Sequence, residues 1–402
     1  MSKLNPLRQP FARRALAVAV GLVSGNAAAA DAVVTNLNDS GPGSFRDAIQ
    51  TAITDAAAPS LVTFSEGLSG TITLATALPS IPDTIDIVGH GITLRGTAQL
   101  ESSSLLTFRS NGSVAHTVRG LTLSGGNNAA IEARLYGDGS LVIEDAVITG
   151  SNGRPALVAS YGEVLVDRTE ISGNTNKPDA NSGDGGGIRA SYVELTVRDS
   201  VIRKNEVGDD GAGIDALSSS VLIERSVIAD NVAGDDGGGI RLRSFGSVEL
   251  DINSSTVSGN IAGGRGGGIT IYAYNGASLE VRNSAIIANT ASSRSAGGGI
   301  YFGEGYFNSS SNVLLSGVVL QGNKAGTGAG ANINTTDFSL EDSRVIENSA
   351  SNSGGGLMVR AESADLARST IADNKAQRWA AVRLNPANID GLDVTVDSTT
   401  IS

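Results

Sequence analysis

The apolar residues of this chain come in short alternating runs. Leu195-Thr196-Val197, Val221-Leu222-Ile223, Val248-Glu249-Leu250-Asp251-Ile252 and Leu279-Glu280-Val281 are rich in β-branched residues and alternate in polarity, which predicts strands. A second, shorter run follows each of them: Val201-Ile202, Val227-Ile228, Ser255-Thr256-Val257 and Ile286-Ile287. No stretch of ten or more residues between them carries helical periodicity, so helical and leucine-rich repeats fit poorly.

The runs are framed by two recurring phrases. Gly-Gly-Gly-Ile opens a unit at Gly185, Gly237, Gly266 and Gly297, with variants at Gly211, Gly328 and Gly354. Ser-x-(Ile/Val)-x-x-Asn closes it at Asn174, Asn205, Asn231, Asn260, Asn289, Asn323, Asn348 and Asn374. The closing asparagines are 25 to 34 residues apart, a period that indicates a solenoid. Two or three short strands per repeat, each pairing with its copy in the next, predict a parallel β-helix with coils about 4.8 Å apart. Roughly eleven coils from Leu105 onward give a rod about 50 Å long. The glycines suit backbone with φ > 0 and close approach, and the asparagines suit a stacked amide ladder, so both are expected to be scaffold.

Composition agrees with a thin, one-layer core: 52 glycines and only 4% aromatics in 402 residues. The chain has no cysteine, which removes disulfide and zinc-thiolate chemistry. Residues 1–30 read as a secretory signal. Lys3, Arg8, Arg13 and Arg14 precede the apolar run Ala15 to Val23, and Ala28-Ala29-Ala30 supplies small residues before Asp31. Removing that segment takes the formal charge from −12 to −16 (−12 − 4), which disfavours nucleic acid and anionic lipid as partners. No segment is long and apolar enough for a transmembrane helix.

Residues 31–60 read as a cap. After Val33-Val34-Thr35-Asn36 and a turn at Asp39-Ser40-Gly41-Pro42-Gly43, Ser44 stands three before Asp47. Phe45, Ala48, Ile49, Ala52 and Ile53 then follow at helical spacing. One amphipathic helix over roughly 44–56 is expected to lie across the first coil, with repeats filling 61–402. This opening, from Val-Thr-Asn to Phe-Arg-Asp-Ala-Ile, resembles that of secreted bacterial right-handed parallel β-helix proteins of the CSLREA-type and outer-membrane-repeat group. The Gly-Gly-Gly-Ile and Ile-x-x-Asn elements are similar to the repeats of polymorphic outer-membrane proteins. The literal CSLREA hexapeptide is absent. The resemblance implies a right-handed, single-stranded, all-β rod, exported to the cell exterior or outer-membrane surface. It implies an adhesin- or passenger-like role, with carbohydrate or a host or cell-surface protein as partner. At the other end, Asp397-Ser398-Thr399-Thr400-Ile401-Ser402 repeats Asn253-Ser254-Ser255-Thr256-Val257-Ser258 and stops two residues short of its asparagine. The expectation is a fragment whose further domains or chain follow Ser402.

Three features invite a chemical reading. Gly89-His90-Gly91 and the Gly-Asp-Asp copies at Gly208 and Gly234 resemble polygalacturonase signatures, but their order is wrong and the Asn-Thr-Asp and Arg-Ile-Lys partners are missing. Asp184, Asp209, Asp210, Asp235 and Asp236 precede three successive openers. Stacked coils would place these carboxylates about 5 Å apart, where solvent, an arginine or calcium must offset repulsion. Arg265 holds the equivalent place in the next coil and is expected to pair with Asp236. Calcium there would suit a lyase of the pectate type, the rival to the scaffold reading. The residues after the opener's apolar position, Arg189, Asp215, Arg241, Thr270 and Tyr301, are expected to face outward. Finally, Tyr272, Tyr274, Tyr301, Phe302, Tyr306 and Phe307 concentrate the aromatics. With Arg241 and Arg243, all but Phe302 form a candidate surface for a sugar ring or a protein partner.

Overall fold

The computed structural model describes residues 31–54, 60–97, 100, 103–176, 183–304, 311–387 and 391–402. Residues 1–30, where a signal is expected, and the aromatics Tyr306 and Phe307 lie outside the described residues.

One coil shows how sequence becomes shape. Ile214–Leu217 runs along one side, the chain bends at Ser218, and Ser220–Glu224 runs along the next. Bends at Arg225 and Asp230 set off Val227–Ala229 and the short Val232–Ala233. All three bend residues have left-handed φ, between 46° and 55°. A turn through Asp235, Asp236 and Gly237 then enters Ile240–Ser244. That strand lies parallel to the first with Ile214 on Ile240 and Ala216 on Leu242. Repetition builds a long sheet from Ala32–Val34 to Asp393–Asp397 and an 11-stranded sheet from Leu106–Asn111 to Val382–Pro386. The rod is a right-handed β-solenoid of about 13 turns.

Alternate residues point inward, and the core is a stack of layers such as Ile214, Ala216, Val221, Ile223 and Ile228, all buried. Burying each large aliphatic side chain contributes about 1.5–3 kcal/mol, which drives coil closure and forbids a one-residue slip but leaves a two-residue slip open. Register is set by polar ladders. The Asn260 side-chain amide donates to Asn289 Oδ1 and to the Ile228 carbonyl, both at 2.9 Å. Its Oδ1 accepts from the Asn231 backbone N–H at 3.0 Å and from Asn231 Nδ2 at 2.9 Å. The same bonds link Asn174, Asn205, Asn231, Asn260, Asn289, Asn323, Asn348 and Asn374 in one line. A second ladder had no place in the sequence reading. The serines of the closing phrase accept the backbone N–H of their counterparts one coil earlier, as Ser226 Oγ does from Ser200 and Ser255 Oγ from Ser226.

The glycines serve two purposes within one triplet. Gly237, first in its triplet, has φ +71° and turns the chain. Gly239, the third, needs no unusual φ. A Cβ there would stand 2.5 Å from the Gly268 carbonyl oxygen and 3.0 Å from Asn260 Nδ2, so glycine lets neighbouring coils close onto the ladder.

At the start of the rod, helix Phe45–Thr54 buries Phe45, Ala48, Ile49 and Ala52 against the first coil. Ser44 Oγ accepts the Asp47 N–H at 3.2 Å, and Asp47 Oδ2 accepts the Gly43 N–H at 2.9 Å, so the helix start is capped. Residues 55 and 56, the last of the expected helical span, lie outside the described residues.

Asn260→Ala removes four side-chain hydrogen bonds from a fully buried site, and we expect it to cost roughly 3 kcal/mol or more in urea unfolding. Gly239→Ala should be similarly severe. Gly246→Ala, whose Cβ would meet nothing nearer than 3.8 Å, should be close to neutral. Equal effects of the two glycine changes would refute the close-approach argument.

Candidate functional site

Two surfaces stand apart from the repeat. The first is formed by the acidic turns. Oxygens of Asp184, Asp209 and Asp210 lie within 4.8 Å of one another, as do those of Asp210, Asp235 and Asp236. Arg241 enters this cluster from below. Its guanidinium is 2.7 Å from Asp210, 3.1 Å from Asp215 and 3.4 Å from Asp184. Arg189 adds a second contact to Asp184 at 3.2 Å.

The structure corrects two expectations here. Arg189, Asp215, Arg241, Thr270 and Tyr301 do form one register column outside the core. However, Asp215, Arg241 and Thr270 are buried, at 3%, 5% and 0% exposure. The opener glycine folds over them: a Cβ on Gly211 would come within 2.7 Å of Asp215 Cβ, and one on Gly237 within 2.7 Å of Arg241 Cβ. Arg241 is therefore committed to carboxylates and offers nothing to a ligand. Arg265, for its part, meets Asp236 through its backbone N–H. Its guanidinium turns away to the Tyr272 hydroxyl at 2.5 Å and lies over the Tyr272 and Tyr301 rings at 5.8 and 5.2 Å. Tyr272 donates to Asp236 Oδ2 at 2.8 Å, and its ring is 5.4 Å from Tyr301. These two tyrosines are packed into the acidic turns rather than displayed. Arg243 lies in register with Tyr272, and Tyr274 belongs to the second surface.

That second surface is an aromatic edge at the bend from the 11-stranded sheet into the long sheet. Tyr136, Tyr161 and Tyr192 stack from coil to coil, with ring centroids 4.7 and 5.6 Å apart. The next coil presents Ser218, in register with Ser244 and Ala273 of the two after it, and one residue further round the corner Phe245 and Tyr274 stack at 5.4 Å. Five of six successive coils thus carry an aromatic ring at one corner, and Tyr192 and Phe245 are 55% and 68% exposed. Beside the tyrosines runs a groove of about 380 Å³ lined by Gly137, Asp138, Gly162, Glu163, Tyr192, Val193, Glu194, Ser218 and Ser220. Sequence reasoning missed it, although a signal exists: Tyr-x-(Asp/Glu) recurs as Tyr136-Gly137-Asp138, Tyr161-Gly162-Glu163 and Tyr192-Val193-Glu194.

With coil and edge in view, relationship can be judged. Residues 107–286 match the family described as the right handed beta helix region. The chain folds as a right-handed β-helix. No curated protein sequence matches it. Among solved structures, pectate lyase Pel9A is similar at a TM-score of 0.45 and 14% identity, over 74% of this chain and 76% of that one. The A-module of the Azotobacter vinelandii mannuronan C-5 epimerase AlgE6 is similar at 0.42 and 13% identity, over 92% and 99%. No residue role is carried over from either.

The electrostatics of this β-helix are uneven. At several places carboxylates are paired across coils: Arg225 with Asp199 and Arg368 with Asp342 at 2.8 Å, and Arg203 with Glu170 at 3.0 Å. In the acidic turns burial dominates. It pushes the Asp210 carboxyl up to about 7 and Asp215 up to about 6, against the pull of Arg241. Asp209 and Asp235 are raised by burial and then by neighbouring carboxylates. Burial likewise raises the Tyr272 phenol.

Folded Asp210 holds its proton more tightly than the unfolded chain does. Its contribution is therefore most favourable at and below about pH 4 and is lost as pH rises toward 7. Asp210→Asn should flatten the decline of unfolding free energy between those values. An unchanged slope in denaturant titrations would remove Asp210 as its source.

Proposed function

We propose that the chain is an exported rod that binds polysaccharide along its aromatic edge without transforming it. The carrying observation is the run of exposed rings, Tyr136, Tyr161, Tyr192, Phe245 and Tyr274, at one corner of successive coils. Rings presented at the coil repeat of about 4.8 Å suit a linear polymer lying parallel to the rod axis. Aromatic surface beside carboxylates and hydroxyls suits sugars, which present an apolar face and a polar rim. Export and display outside the cell rest on residues 1–30 and remain part of this proposal, as does the adhesin-like role. A protein partner on the same edge is the competing outcome.

In the acidic turns, Asp210, Arg241 and Tyr272 are each already held by neighbouring groups. Asp210 has a suitable affinity for protons, but its oxygens already accept from Arg241 and the Asp236 N–H. Arg241 is buried among carboxylates, and Tyr272 is bonded to Arg265 and Asp236.

Tyr192→Ala combined with Phe245→Ala is expected to weaken binding to a responsive glycan at least about tenfold, with the melting temperature nearly unchanged. Retained affinity would move the site elsewhere. A second reading, a calcium-assisted uronate lyase, is favoured by the two carboxylate trios. Calcium would then raise the melting temperature of the protein, and Asp210→Asn with Asp236→Asn would abolish the rise. No shift with calcium leaves those turns as scaffold.

A further inference from the structure

We infer that the polymer recognised by the aromatic edge is a cationic glycan, one built of sugars carrying free amines. This rests on the glycan-binding reading above and deepens it.

At several places on the rod, arginines on neighbouring coils take up carboxylates, as at Asp145 with Arg168, Asp167 with Arg198 and Asp199 with Arg225. In the groove, the carboxylates of Asp138, Glu163 and Glu194 have no hydrogen-bond or ion-pair partner among the described residues. No cation is found among the described residues that line it. Glu163 and Glu194 even stand directly opposite each other on paired strands. Like charges so placed repel, at a cost of a few tenths of a kcal/mol that one arginine would have relieved. Glu249 continues the same outward column one coil past Ser220, aligned by the pairing of Val221 with Leu250. Burial, with help from Asp251 and Glu280, raises its carboxyl to about 7.

The shape of the groove agrees with a ring-by-ring ligand. The tyrosine stack ends at Tyr192 because the next coil offers only Ser218, and a second stack begins at Phe245. Two coil steps, about 10 Å, separate the two stacks. That gap admits one sugar ring against Tyr192, with Ser218 and Ser220 as its floor. An ammonium on that sugar or its neighbour then faces Glu194 and Glu163. A uronate at the same place would set one more carboxylate against three. A neutral sugar would leave the carboxylates unneutralised. Charge therefore selects the amine.

The test is calorimetric titration of the protein with three oligosaccharides of equal length: fully deacetylated glucosamine, N-acetylglucosamine and cellulose-derived glucose. The amine oligomer should bind at least about tenfold more tightly than either neutral one, and its advantage should shrink as salt is raised. Glu163→Gln with Glu194→Gln should erase that advantage, bringing the amine oligomer down to the affinity of the neutral ones. Both positions face the groove, so the fold should hold. The single change Glu194→Gln, expected to give a partial loss, guards against misfolding of the double variant. Tyr192→Ala should weaken all three oligomers. If the neutral oligomers bind as well as the amine, or the double variant keeps its preference, the charge inference is overturned and glycan binding stands. If none of the three binds, both readings fall.

Discussion

Everything on the surface of this rod depends on neighbouring coils being held in a single register. Hydrophobic burial forbids a one-residue slip but not a slip of two, which returns Val, Ile and Leu to the core. The asparagine ladder forbids that as well. Each side-chain amide bonds the next one and a carbonyl of the coil before, leaving no donor or acceptor idle in a dry interior. A slipped coil would bury those groups unpaired, at about 1–3 kcal/mol each. The glycine packed against each asparagine permits the contact, and the serine ladder repeats the constraint at the preceding corner.

Fixed register converts a sequence phrase into a surface line. A residue at a given place in each repeat recurs along the axis, so Tyr-x-(Asp/Glu) becomes a ridge of rings beside the paired carboxylates Glu163 and Glu194, with Asp138 nearby in the groove. The same logic makes the acidic turns a cluster. The difference lies in what fills the neighbouring column. Arg189 and Arg241 rise into the turns and neutralise Asp184, Asp210 and Asp215, whereas the groove column offers Ser140, Glu163, Glu194 and Ser220. The acidic turns are thus partly compensated from within, whereas no arginine lines the groove among the described residues.

The coil was legible because its causes repeat. Strand alternation, the opener and the asparagine all recur at one period, and each has a local physical reason. The cap helix was legible from Ser44, Asp47 and the spacing of Phe45, Ile49 and Ala52. Burial of Asp215, Arg241 and Thr270 was not, because it arises where the preceding turn folds back over the strand. No alternation pattern within the strand records that. The fate of Arg265 also escaped, since its position beside Asp236 held but its guanidinium found the Tyr272 hydroxyl and two ring faces instead. The aromatic edge was written in the sequence as Tyr-x-(Asp/Glu), yet attention to the densest aromatic segment near Tyr301 hid a sparser, periodic one.

The central claim is that the coil register builds a ligand-binding edge at the Tyr136–Tyr192 corner. A crystal structure of the protein grown with an amine-bearing glucosamine oligomer tests it most directly. The oligomer should lie parallel to the rod axis, with a ring against Tyr192 over Ser218 and an amine within hydrogen-bond reach of Glu163 or Glu194. Sugar bound instead across Asp210, Asp235 and Asp236 would contradict it and return the functional site to the acidic turns.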